Sequence, residues 1–90
     1  MENKLITAIY PGTFDPITLG HLDILKRAST LFDKVIIAVA INSEKSPMFS
    51  KVTRIKMIKE VTANFENVEV DSFSGLLVDY AKLKNASVII

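Results

Sequence analysis

The chain has 90 residues, of which 49% are hydrophobic, and 11 Lys and Arg stand against 10 Asp and Glu. This length suits one small domain, and the high apolar fraction excludes a disordered or collagen-like chain. The net charge of +1 excludes a polybasic nucleic-acid-binding module, so no nucleic-acid partner is expected. The absence of Cys excludes a disulfide framework and a thiolate metal site.

The hydrophobic segments are too short to cross a membrane. The longest unbroken apolar run is residues 35–41, whereas a membrane-spanning helix needs about 20 residues. The first four residues, Met-Glu-Asn-Lys, do not begin a signal peptide. We therefore predict a cytoplasmic protein with no membrane partner.

Two hydrophobic periods alternate along the chain. Short apolar runs are typical of buried strands, and apolar residues three or four apart are typical of helices. Strands are predicted at 5–10, 34–41, 68–71 and 87–90, and helices at 21–32, 51–65 and 76–84. This βαβαβαβ order predicts an α/β, Rossmann-like parallel sheet with right-handed crossovers. Thr18 and Ser50 are the predicted helix N-caps, and Leu76, Leu77, Tyr80 and Ala81 are predicted to face inward.

The end of the chain has the composition of a buried strand. Ser-Val-Ile-Ile closes the sequence without a polar tail, and the loop after such a strand would lie at the ligand-binding edge of the sheet. We predict that residues 1–90 are a single domain that forms the N-terminal portion of a longer one, truncated after the fourth strand. The alternative is a natural short domain with a frayed last strand.

The loop after the first strand, residues 10–21, has the features of a phosphate site. Gly12 allows close backbone approach, and Thr13 offers a hydroxyl at the carboxyl end of the strand. His21 lies at a helix start, where free N–H groups attract anions, and Gly20 beside it leaves room for a nucleotide. Neither a dinucleotide fingerprint nor a P-loop is present. From these residues alone, a tight loop without a ligand is an equal alternative.

Within this loop, Pro-Gly-Thr-Phe-Asp-Pro followed by Thr-x-Gly-His resembles the nucleotidyltransferases that carry a T/H-x-G-H motif. Among them, the chain is most similar to the bacterial phosphopantetheine adenylyltransferases. The resemblance covers the whole chain, and it includes Phe32-Asp33, Lys45 with Pro47-Met48-Phe49, Arg54, and the stretch 73–78. Thr18 favours this family over the nicotinate-mononucleotide and cytidylyl relatives, which usually have His there.

The resemblance implies an enzyme of coenzyme A biosynthesis. ATP and 4′-phosphopantetheine would give dephospho-coenzyme A and pyrophosphate, with Mg²⁺ accompanying ATP and no covalent enzyme intermediate. No residue of this chain is predicted as a metal ligand. The family also implies a homo-oligomer, a hexamer, for the full-length protein.

The resemblance further implies roles for five residues. Thr13, His21 and Lys45 would be catalytic; Thr13, Phe14 and His21 would bind ATP; Thr13, Lys45 and Leu77 would bind the pantetheine substrate. Three of them have an ordinary structural alternative: an exposed helix start for His21, a solvated loop for Lys45, and the core for Leu77.

Three further polar residues are predicted to be structural. Asp15 precedes a proline and is expected to form a turn. Arg54 and Lys56 are expected on a solvated helix face.

The resemblance also implies Arg-Gly-x-Arg and Ile-Ser-Ser segments beyond residue 90, both of which contribute to ATP and phosphate binding. We therefore predict that the 90-residue chain alone is a poor enzyme. Three alternatives stay open: a related nucleotidyltransferase acting on another phosphate acceptor such as nicotinate mononucleotide, a non-catalytic nucleotide-binding fragment, and a structural role through association of an exposed strand edge.

Overall fold

A computed structural model describes residues 5–42 and 46–90 and shows the predicted alternation of strands and helices. The elements in chain order are β1 (Thr7–Gly12), α1 (Leu19–Leu31), β2 (Lys34–Ala40), α2 (Lys51–Val61), β3 (Val68–Phe73), α3 (Leu77–Leu83) and β4 (Val88–Ile89). The α/β, Rossmann-like class is confirmed.

The four strands form one parallel sheet in the order β3-β2-β1-β4. The pairing of β1 with β2 runs from Thr7 opposite Lys34 to Gly12 opposite Val39. The chain thus builds outward from β1 to β3 and then crosses back to place β4 on the other side of β1. In open α/β sheets, ligands bind beyond the carboxyl ends of the strands at such a reversal. The carboxyl end of β1 is therefore the expected ligand position.

The core has two apolar layers because β2 is covered on both faces. Residues 35–39 are all buried, as is typical of a central parallel strand. One layer joins β1 and β2 to α1 and α2 through Tyr10, Phe14, Leu25, Ala28, Val35, Ile37, Val39 and Ile58. The other joins them to α3 through Ile9, Ile36, Ala38, Tyr80 and Ala81.

A polar contact fixes α3 to the sheet beside its apolar face. The Tyr80 hydroxyl donates to Asp71 Oδ2 at 2.6 Å, and Lys84 Nζ lies 3.4 Å from the same oxygen. The Tyr80 ring stacks on Phe73 with a centroid separation of 5.0 Å. Partial burial pushes the pKa of Asp71 upward, but the Tyr80 hydrogen bond and Lys84 together lower it.

Two helix boundaries differ from the prediction by two residues or more. The first helix begins at Leu19 instead of residue 21, because Thr18 caps it and brings Gly20 and His21 into its first turn. The second ends at Val61 instead of residue 65, because the chain turns at Thr62, whose carbonyl accepts from the N–H of Phe65.

The first strand runs from Thr7 to Gly12 instead of 5–10, because its pairing with β2 continues to Gly12. Further differences lie around the third strand and helix. The strand extends to Phe73 instead of residue 71, because its pairing with β2 continues to Ala40. Leu76, predicted to face inward, is 67% exposed because it precedes the helix as its N-cap. Tyr80 and Ala81 are buried as predicted.

Candidate functional site

The loop after β1 turns one aromatic ring into the core and leaves Thr13 exposed. Phe14 has a left-handed φ of 49° and is 2% exposed, and its ring contacts Tyr10 and His21 at centroid distances of 5.3 and 4.8 Å. A Cβ on Gly12 would lie only 3.0 Å from this ring, so a larger residue there would displace it. The Phe14 side chain is therefore part of the core, and its backbone is what a ligand could contact.

His21 takes part in the N-terminal cap of α1. The backbone N–H of Thr18 donates to His21 Nδ1 at 3.0 Å, and the backbone N–H of His21 donates to Thr18 Oγ1 at 3.3 Å. The predicted cap is confirmed, and it is a reciprocal capping box. Because Nδ1 accepts a hydrogen bond, the neutral imidazole carries its proton on Nε2. Nε2–H is then the donor available to an anion at the helix N-terminus.

Gly20 lies in the same first turn and is exposed. A Cβ built there would have one close neighbour, Thr18 Oγ1 at 3.6 Å, which is ordinary van der Waals contact. Packing within the described chain thus does not require glycine at this position. The first turn also has no acidic residue, so no carboxylate of that turn would repel a bound anion.

Asp15 joins this loop to the segment that precedes α2. Its carboxylate accepts from the backbone N–H of Met48 at 2.6 Å and of Phe49 at 2.8 Å. The Asp15–Pro16 peptide bond is cis. The predicted structural role of Asp15 is confirmed, although it includes a long-range contact in addition to a local turn.

Arg54 also joins these two segments, and its predicted place on a solvated helix face is wrong. Its guanidinium donates from Nε to the Phe49 carbonyl at 3.1 Å and from Nη1 to the Thr13 carbonyl at 3.0 Å. The residue is only 4% exposed, because both loops cover it. Lys56, two residues further along, is exposed as predicted.

Two neighbouring depressions lie along the carboxyl edge of the sheet and share Ala40, Ile41 and Asn42 in their walls. One, of about 470 Å³, includes Thr13, Arg54 and Lys51. The other, of about 490 Å³, includes Leu77.

Leu77 is partly buried and packs against the α3 layer of the core, which agrees with its structural alternative, and its role in binding substrate stays a prediction. Sequence reasoning missed Lys51, although its position in the first turn of α2, just after a loop at this edge, is a signal that could have found it. Lys45 lies outside the described residues, and its role stays a prediction. The residues on either side of that gap, Asn42 and Ser46, both line the depression that contains Thr13.

Residues 5–42 and 46–90 contain neither a candidate metal cluster nor a helix that could cross a membrane. No group of three or more His, Asp or Glu side chains in these segments is placed to hold a metal ion. No helix among them is both long and apolar enough to span a bilayer.

The model of one protein family, described as cytidylyltransferase-like, matches residues 9–90. The chain belongs to the cytidylyltransferase-like family. The predicted membership of the nucleotidyltransferases is confirmed by this match. Both halves of the motif that led to the prediction, the Gly12 loop and the Gly20-His21 pair, lie inside the matched region.

Within the cytidylyltransferase-like family, the chain is similar to proteins named phosphopantetheine adenylyltransferase. It is 61% identical over 83 residues to the one from Caldanaerobacter subterraneus subsp. tengcongensis, a match that covers 92% of this chain and 52% of the relative. It is 59% identical over 83 residues to the one from Gloeothece citriformis, covering 92% of this chain and 53% of that relative. The chain thus spans about half the length of the curated relatives it matches.

The fold is also found in a solved structure of low sequence identity. The lipopolysaccharide core biosynthesis protein from Thermoplasma volcanium superposes with a TM-score of 0.73 at 23% identity, covering 96% of this chain and 73% of that one. This likeness supports the Rossmann-like architecture of the cytidylyltransferase-like chain.

Proposed function

We propose that this chain carries the nucleotide-binding portion of a protein that transfers the adenylyl group of ATP to 4′-phosphopantetheine. The products are dephospho-coenzyme A and pyrophosphate. The observation that carries the proposal is the identity of about 60% to relatives named for this activity, over 92% of the chain. A cytoplasmic location and a homo-oligomeric full-length protein, a hexamer, are parts of the same proposal.

The reaction needs positioning and charge stabilisation more than covalent chemistry. A phosphate oxygen of the acceptor attacks the α-phosphorus of ATP, the bond from that phosphorus to the bridging β-oxygen breaks, and pyrophosphate leaves. Donors that are already oriented toward the developing charge lower the barrier without reorganising.

His21 is the donor that we assign to the triphosphate. Its Nδ1 is occupied by the Thr18 N–H, which leaves Nε2–H to donate to phosphate oxygens. The ring also contacts Phe14 edge to face, at a centroid distance of 4.8 Å. The Thr13 hydroxyl orients the attacking phosphate, and the Thr13–Phe14 backbone lies against ATP.

The acceptor binds along the paired depressions. Thr13 lines one and Leu77 the other, so a phosphate near Thr13 leaves the pantetheine arm to extend over Leu77. Lys45 neutralises the acceptor phosphate. Lys51 adds a second positive charge to the depression around Thr13.

Magnesium would enter bound to the triphosphate and would partly neutralise its charge. Mg²⁺ at such sites keeps several waters and uses one or two carboxylates at most. Asp15 already accepts two backbone hydrogen bonds, and the described residues hold no acidic cluster. This chain therefore fits a metal held by the nucleotide and not by a protein cage.

The test is pyrophosphate release from ATP and Mg²⁺ with 4′-phosphopantetheine as acceptor. Nicotinate mononucleotide serves in a parallel reaction, and the Caldanaerobacter relative is the positive control for the assay. Release with phosphopantetheine alone supports the proposal, and release with the mononucleotide alone contradicts it. If neither acceptor gives release, isothermal titration with ATP decides. Binding then supports a non-catalytic nucleotide-binding fragment, and no binding contradicts the proposal as a whole.

A further inference from the structure

Arg54 is buried, and no carboxylate of residues 5–42 or 46–90 forms an ion pair with it. None of the ion pairs among the described residues includes its guanidinium. It donates instead to two backbone carbonyls, those of Thr13 and Phe49. A buried charge is costly unless hydrogen bonds replace its hydration. The position of this side chain therefore depends on the two loops that it joins.

The bond from Arg54 to Thr13 fixes a peptide plane at the carboxyl end of β1. Nη1 donates to the Thr13 carbonyl at 3.0 Å. In a trans peptide the carbonyl and the following N–H point in opposite directions. With the Thr13 carbonyl held toward Arg54, the Phe14 N–H is directed away from it. The left-handed φ of Phe14, 49°, is a conformation that a phenylalanine adopts rarely without such restraint.

The second bond from Arg54 determines where α2 lies relative to this peptide. Nε donates to the Phe49 carbonyl at 3.1 Å, one residue before the Ser50 cap of α2. Asp15 accepts from the Phe49 N–H at 2.8 Å, so the Phe49 residue is held at both its carbonyl and its amide. The loop that carries Thr13 and the start of α2 are thus held as one unit.

We infer that Arg54 is a positioning residue that sets the orientation of the Thr13–Phe14 peptide and so the geometry of the Thr13 hydroxyl and Phe14 amide toward nucleotide. Its consequence for binding rests on the proposed function. Arg54 acts through Thr13 and Phe14, which are assigned to ligand contact; it is not itself assigned to the reacting atoms.

Three variants of α2 test this role. R54M removes the donors and keeps much of the side-chain volume, and R54K keeps the charge but has one ammonium in place of a planar fork. K56M changes an exposed cation two residues away and is the matched control. For each, NMR reports the Thr13 carbonyl carbon and Phe14 amide shifts. Isothermal titration with ATP and Mg²⁺ reports affinity, at a temperature where thermal unfolding shows the variant to be folded.

We expect both Thr13 and Phe14 shifts to move in R54M and ATP affinity to fall roughly 10- to 100-fold, the range typical of a misplaced binding group. R54K should lose less, because one ammonium can replace one of the two donors, and K56M should match the wild type. If R54M does not fold, R54K carries the test through the same two readouts.

Unchanged Thr13 and Phe14 shifts in a folded Arg54 variant overturn the inference, as does an unchanged ATP affinity when the wild type binds. If Arg54 only stabilised the fold, the ATP affinity of its variants would be unchanged, because affinity is measured on folded protein. If the wild type does not bind ATP, the proposed function fails. The chemical shifts then still show whether Arg54 determines the orientation of the Thr13–Phe14 peptide.

Discussion

The backbone N–H of Thr18 donates to Nδ1 of His21 at 3.0 Å, and the backbone N–H of His21 donates to the Thr18 hydroxyl oxygen. In the usual capping box, Glu or Gln occupies the position that His21 takes here. One ring nitrogen therefore completes the helix cap, and the other is the donor that the proposed function assigns to the triphosphate. Under the proposed function, the two nitrogens of one residue thus contribute separately to stability and to binding.

Substitutions of His21 should separate those two properties. H21A loses the cap contact from the ring, which should cost about 1 kcal/mol of unfolding free energy. H21Q retains an acceptor for the Thr18 N–H and should stay within about 0.5 kcal/mol of wild type, the usual size of a near-neutral surface change. Both should lose roughly 10²-fold or more in pyrophosphate release, because an oriented donor is lost. Urea unfolding and the release assay measure the two effects.

The tautomer of His21 can be read directly, since this is the only histidine in the chain. Nitrogen-15 spectra above the titration range of the ring should show a protonated Nε2 and an unprotonated Nδ1. The reverse assignment would contradict the hydrogen bond from Thr18 and the donor role that we give to Nε2. A change at Nε2 on adding ATP would support that role.

Gly20→Ala should change stability and binding in opposite directions. Glycine within a helix is less stable than alanine by about 0.5–1 kcal/mol, and the added Cβ has room, with Thr18 Oγ1 at 3.6 Å. The fold should therefore gain stability, while ATP affinity falls because the methyl group enters the space assigned to nucleotide. A matched control is Ser29→Ala, in the last turn of the same helix. Equal ATP affinity in G20A and wild type would contradict the placement of nucleotide here.

Asp15→Ala should destabilise the protein by about 2 kcal/mol, because two amides lose a charged acceptor. Asp15→Asn retains one acceptor oxygen and should lose about half as much. Asp23→Asn is the control, since Asp23 pairs with Arg27 on the exposed surface of α1. Hydrogen exchange at Met48 and Phe49 should accelerate in D15A alone. Unchanged exchange at these amides would refute the contact.

Tyr80→Phe should have a pH-dependent effect. The hydrogen bond to Asp71 helps to lower the pKa of that carboxyl below its ordinary 3.8, and burial with the same bond raises the pKa of Tyr80 above 10.0. A lowered acid pKa gives stability that is full above the ordinary value and is lost as pH falls through the folded-state value. The loss from Y80F, about 1 kcal/mol near neutral pH, should therefore shrink below about pH 4.

A double-mutant cycle with Asp71→Asn isolates the Tyr80 contact. The coupling energy is obtained from urea unfolding at several pH values. It should stabilise the folded state at pH 7 and should be smaller at pH 3. A coupling of zero at pH 7 would contradict the hydrogen bond that the structure places at 2.6 Å.

The order of the elements was predictable because hydrophobic periodicity reports burial directly. The continuous apolar run in β2 and the spaced apolar residues of α1 and α2 both reflect which faces are covered. The caps at Thr18 and Ser50 were also predictable, because a cap is a local interaction between residues three positions apart.

Long-range polar contacts were not predictable in this way. Arg54 is a polar residue, so hydrophobic periodicity places it on the solvent side of a helix. It is buried because the loops that contain Phe49 and Thr13, 5 and 41 residues earlier in the chain, cover it. Leu76 fits the apolar repeat of α3 but precedes the first helical residue, so helical geometry does not apply to it. Thr13 and His21 were predicted as site residues from a sequence motif. Their contacts could be described only once the fold was known.

Because Asp15 fastens the amides of Met48 and Phe49, the start of α2 is anchored independently of the residues that lead up to it. Evolution or protein engineering could therefore change the length and composition of the connection ahead of Met48 without shifting the helix behind it. A library confined to residues 42–47 would vary Asn42, Ser46 and Pro47, which line the depression around Thr13, on a fixed base. Under the proposed function, such a library offers a route to new phosphate acceptors that leaves the residues assigned to nucleotide unchanged.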